Sequence, residues 1–81
     1  MEIKLSKRAQ KYLDSVDTNT RKKLYKALDK LSRLEGNIKR LEGYRDRYRF
    51  KIDHYRITFE RFKGELIIHV IEINTRTNIK Y

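Results

Sequence analysis

The hydrophobic period changes once along this chain, and that change limits the folds open to it. Before residue 36 apolar side chains recur every three to four residues, and after residue 46 they recur every two. The first spacing marks helices with one apolar stripe, the second marks half-buried strands. A helical half followed by a strand half is an α+β chain, in which each part supplies the cover that the other needs.

Within the helical half, Ala9, Tyr12, Leu13 and Val16 form one stripe, and Ser6 stands where an N-cap belongs. The cluster Asp17-Thr18-Asn19-Thr20 ends that helix and starts another, whose apolar face is Leu24, Ala27, Leu28, Leu31 and Leu34. Gly36-Asn37 closes it in the manner of a left-handed C-cap. Ahead of both helices, Glu2–Leu5 is a short strand with Ile3 and Leu5 on one face.

In the strand half, Tyr48, Phe50 and Ile52 alternate with Arg47, Arg49 and Lys51; Tyr55, Ile57 and Phe59 alternate with Arg56, Thr58 and Glu60. Residues 66–73 are apolar at nearly every position, which predicts a central strand covered on both sides. Asp53-His54 and Lys63-Gly64 supply the turns. The expected fold is therefore α+β: an N-terminal strand, a helical hairpin and a three-stranded antiparallel meander, in one sheet covered on one face by the helices. With 81 residues there is room for one domain, residues 1–81.

If both turns are two-residue hairpins, the strand register follows. Lys51 faces Arg56 and Arg49 faces Thr58, while Arg56 lies opposite Ile71 and Thr58 opposite His69. The helices cover Tyr48, Phe50, Ile52, Tyr55, Ile57, Phe59, Ile68 and Val70; Arg49, Lys51, Arg56, Thr58, His69 and Ile71 look outward. Like charges directly opposite on a sheet destabilise it by tenths of a kcal/mol up to about 1. An anion seated between Lys51 and Arg56 would relieve that cost. Arg49 shares their face, and Arg76 follows the last strand closely enough to join them.

Charge supports the same reading. Lys and Arg number 21 against 11 Asp and Glu, a net +10. A thermostable surface would carry both signs in balance, so the excess of base points to a polyanionic partner. Residues 39–63 interleave bases with Tyr44, Tyr48 and Tyr55, a combination suited to single-stranded RNA, although alternation assigns most of these rings to the core. Tyr81 has no periodic reason for burial. His54 and His69 suggest acid–base chemistry, but an isolated histidine is more often a turn or sheet residue. No run reaches the ~20 apolar residues of a membrane span, and Met1-Glu2-Ile3-Lys4 does not open a signal peptide. These two observations lead to the expectation of a soluble cytoplasmic protein with no membrane partner, and the lack of cysteine is compatible with a reducing compartment.

Two stretches, LEGYRDRYRFKIDHYRITF from Leu41 and IIHVIEINTR from Ile67, with Tyr81 behind them, resemble the RelE/ParE superfamily of toxins. Leu41 and Gly43, then Arg49 and Lys51, then Tyr55 and Arg56, then Arg76 and Tyr81 follow the family's order. Asp53-His54 replaces the small residue common before its Tyr-Arg pair. The resemblance implies a toxin of the RelE kind that cuts messenger RNA in the ribosomal A site without metal or cofactor and is silenced by a RelB-like antitoxin. It further implies catalytic roles for four residues. Lys51 would deprotonate the 2′-hydroxyl or stabilise its anion, and Arg56 would hold the scissile phosphate. Arg76 would assist the leaving oxygen, and Tyr81 would stack on a base. Arg49, Arg47, Arg45 and His69 are expected RNA contacts, Arg45 and Arg47 only at the periphery. The competing readings are a ParE-like toxin acting on DNA gyrase, a non-catalytic RNA- or ribosome-binding module, and a co-repressor that has lost toxicity.

Overall fold

A computed structural model describes residues 1–75. Strand β1 (Glu2–Leu5) leads into helices α1 (Lys7–Ser15) and α2 (Thr18–Ser32). Strands β2 (Asn37–Arg40), β3 (Arg47–Ile52), β4 (Tyr55–Glu60) and β5 (Ile67–Thr75) follow. They form one sheet in the order β1-β5-β4-β3-β2, antiparallel except for the parallel β1–β5 pair. The α+β class and the one-sided helical cover are as the periodicity predicts.

Local chemistry explains the element ends. The Ser6 hydroxyl accepts the Ala9 N–H at 3.0 Å, the expected N-cap, and donates to the Ile71 carbonyl at 2.6 Å, tying α1 to β5. At the other end of α1, carbonyls are left without helical partners. Arg21 from α2 supplies donors: Nε reaches Leu13 O at 2.8 Å and the guanidinium reaches Val16 O at 2.8 Å. The end of α2 differs from expectation. Leu34, at φ 55°, takes the left-handed C-cap place expected of Gly36, which has a positive φ of its own further on. The Glu35 N–H bonds Lys30 O at 3.0 Å and the Leu34 N–H bonds Leu31 O at 2.8 Å, the paired bonds of a Schellman motif.

The core joins Ala9 and Leu13 of α1 with Leu24, Ala27, Leu28 and Leu31 of α2 over Phe50, Ile57, Phe59, Ile68, Val70 and Ile73 of the sheet. Tyr48, Ile52 and Tyr55 pack at its margin, and the rings of Tyr48 and Phe59 stack across β3 and β4 at 5.3 Å.

Three further expectations need correction. Strand β2 was not expected: it is polar and presents only Ile38 to the core, so it carries no alternation. Strand β5 is central, but only one of its faces is buried; Ile67, His69 and Ile71 on the other are half-exposed. The β4–β5 register also differs, with Arg56 opposite Asn74 and Thr58 opposite Glu72. Lys63-Gly64 does form a turn, closed by the Glu65 N–H on Phe62 O at 3.0 Å. Pairing resumes only at Glu60–His69, two residues away from a tight hairpin, and an irregularity between Thr58 and Phe59 adds a third.

Candidate nucleic-acid interface

Residues directly opposite on neighbouring strands share a face. The pairings run across the sheet in rows, Asn37–Lys51–Arg56–Asn74 and Lys39–Arg49–Thr58–Glu72. The row between them is Ile38–Phe50–Ile57–Ile73, and its side chains pack on the helices. Lys39, Arg49, Lys51 and Arg56 therefore gather on the face that the helices leave uncovered. The predicted opposition of Lys51 to Arg56 and of Arg49 to Thr58 is present.

Arg49, Lys51 and Arg56 are half-exposed. The inner Nε of Arg49 and of Arg56 is buried against the sheet and has no hydrogen-bond partner among the described residues. Neither arginine, nor Lys39, makes an ion pair among those residues. The nearby acids are engaged elsewhere: Glu60 with Arg47 at 3.0 Å, Glu72 with Arg8 at 3.6 Å, Asp53 with Lys23 at 3.1 Å. The hydrogen bond from Lys23, and then its charge, hold the Asp53 carboxyl below the usual carboxylate range. The same bond raises the Lys23 ammonium. The open face is thus a patch of positive charge edged by paired acids, and arginine forks are suited to carboxylate or phosphate acceptors.

Other predicted residues lie apart from it. Arg47 is held by Glu60 and by the Tyr44 ring, 4.4 Å from its guanidinium carbon. Arg45 occupies the exposed connection between β2 and β3. His69 is opposite Glu60 rather than Thr58, bonded to Glu65 at 2.9 Å and tilted against Phe62. His54 sits in the β3–β4 turn, away from His69. Arg76 and Tyr81 fall outside the described residues. Lys39 is the cation that the sequence reading missed, because its place beside Arg49 depends on β2. The signal available was Ile38, a lone apolar residue followed by two bases. Among the described residues no group of three or more His, Asp or Glu side chains is placed to ligate a metal. No helix there is long and apolar enough to cross a membrane.

The family described as the ParE toxin of type II toxin–antitoxin systems, parDE, matches residues 3–79. The chain belongs to that family. Solved structures place the toxin's fold with RelE. The RelE–RelB complex of Pyrococcus horikoshii OT3 matches with a TM-score of 0.74 at 21% identity, over 96% of this chain and 97% of that one. The RelBE complex of E. coli matches at 0.73 and 23% identity, over 91% and 94%. The RelB–RelE complex of Methanococcus jannaschii matches at 0.70 and 23%, over 91% of each. No curated protein sequence matches the chain. The toxin is thus a member of the RelE/ParE superfamily with a RelE-like fold, and its basic patch lies on the uncovered face of that fold.

Proposed function

We propose that this toxin is a ribosome-dependent endoribonuclease that cuts mRNA in the A site and so stops translation. The observation that carries the proposal is the Lys51–Arg56 cross-strand pair, with Arg49 beside it, on the uncovered side of the sheet. Like charges facing each other across strands repel, and a phosphodiester bound between them offsets that repulsion. In this scheme the Arg56 fork grips the scissile phosphate and stabilises its developing charge. The 2′-hydroxyl attacks that phosphorus, with Lys51 taking its proton or countering its charge. The bond to the 5′-oxygen breaks and that oxygen takes up a proton, leaving a 2′,3′-cyclic phosphate and a 5′-hydroxyl. Arg76 at the leaving oxygen and Tyr81 against a base are assigned by family resemblance alone. Arg45 and His69 flank the path as peripheral contacts, and Arg47 contributes less because Glu60 already holds it.

The partner that silences such a toxin is a RelB-like antitoxin in the cytoplasm, with an acidic amphipathic segment suited to the basic face. The RelE structures solved with RelB support this part of the reading. Membership of the ParE toxin family supports a second reading, action on DNA gyrase. One experiment separates the two. Cuts in message are mapped in a translating extract with the wild-type toxin, and supercoiling by gyrase is assayed in parallel. Codon-level cuts with supercoiling intact are the expected result. Intact message with failed supercoiling transfers the proposal to gyrase.

A further inference from the structure

We propose that the uncovered face holds two successive phosphates of single-stranded RNA, and that Lys39 with Arg49 forms the second phosphate subsite. This rests on the reading of the face as an RNA site and adds a residue and a substrate length to it. In two rows of this face a cation stands opposite a cation, Lys51 with Arg56 and Lys39 with Arg49. Along β3 the rows are two residues apart, about 6.6–6.8 Å at the rise of a strand. That is close to the separation of consecutive phosphates in an extended single strand.

Each row is a like-charged cross-strand pair, so the same argument that identifies an anion at Lys51–Arg56 applies again at Lys39–Arg49. The Nε of Arg49 is buried without a partner among the described residues, as are those of Arg56 and Arg47. The strip also has limits. One row past Arg49, Arg47 is neutralised by Glu60 and covered by Tyr44. Past Lys51 the chain turns at Asp53, which holds Lys23. Towards β5 the rows end in Asn74 and in Glu72, the latter paired with Arg8. Two rows in which cation faces cation match two successive phosphates.

The test uses short RNAs that cannot be cut, 2′-O-methyl diuridylate and triuridylate, which carry one and two internucleotide phosphates. Binding to the full chain is followed by NMR titration. The wild type should bind the trinucleotide more tightly than the dinucleotide. Lys39→Ala should weaken trinucleotide binding by about threefold to tenfold, the range for losing a charged hydrogen bond partly exposed to water. It should weaken dinucleotide binding less, because a single phosphate can still sit at Lys51–Arg56, and Lys39→Arg should restore the wild-type pattern. The plot of log affinity against log salt for the trinucleotide should become shallower by about 0.7 in Lys39→Ala. The melting temperature checks that each variant is folded. The proposal is overturned if Lys39→Ala weakens both RNAs equally, weakens neither, or if the wild type fails to distinguish or to bind them. Message cleavage is a separate readout. If cleavage is absent but the di- and trinucleotide pattern holds, the nuclease reading falls and the two-phosphate site stands; cleavage with an indifferent Lys39 gives the reverse.

Discussion

A methyl group on Gly36 would stand 2.5 Å from Cε1 of Phe50, a ring that is 1% exposed, at a backbone φ of +113°. Neither the ring nor the backbone has room to yield. Gly36→Ala should therefore cost about 2–4 kcal/mol, combining overpacking with left-handed strain, measurable by urea denaturation. Arg56 presents the opposite case. Its guanidinium faces outward and makes no ion pair among the described residues, so Arg56→Ala should fold normally yet abolish toxicity on induction in cells. An unfolded variant, or a fully toxic one, defeats the assignment. The two residues were not equally legible. Alternation placed Arg56 on the open face, whereas the approach of Phe50 to Gly36 appears only once β2 has brought the chain back beside β3.

Among the elements, α2 ends in an arrangement that a side chain strains. Leu34 adopts φ 55° inside a Schellman motif, a place that glycine usually fills. Leu34→Gly should stabilise the protein by about 0.5–1 kcal/mol, seen as a higher denaturation midpoint with an unchanged slope. The β3–β4 hairpin is joined to α2 by Asp53 and Lys23. The Asp53 carboxyl is lowered, so its contribution is present above the ordinary carboxylate range and fades as pH falls below about 4. The Lys23 ammonium is raised, so its contribution is present below about pH 10.4 and fades as pH rises beyond it. Asp53→Asn keeps the left-handed turn, which asparagine tolerates, and removes the ion pair. The melting temperatures of variant and wild type should differ slightly near neutrality and converge at both pH extremes. A constant difference would show that the ion pair is not its source.

At the scale of the molecule, a net charge of +10 repels itself, and the repulsion concentrates where rows of like charge meet across strands. Anions that fit those rows should stabilise the fold beyond ordinary screening. Inorganic phosphate should raise the melting temperature more than chloride at equal ionic strength, and Arg56→Ala should reduce that excess. Equal effects of the two salts would mean that the face screens charge without binding anions. An acidic antitoxin segment over the same face would act in the same direction and more strongly.

The change of period, the capping residues and the two-residue Asp53-His54 turn are local features, so the helices, the β3–β4 register and the outward placement of Arg49, Lys51 and Arg56 follow from the order of residues alone. The strand β2, the β4–β5 register, the displacement of His69 and the arrival of Lys39 beside Arg49 do not. Each depends on pairing between distant segments, through an edge strand with one apolar residue and a longer loop with an irregular strand beside it. Such pairings are decided by packing on a shared core, and nothing in a local window of residues encodes them.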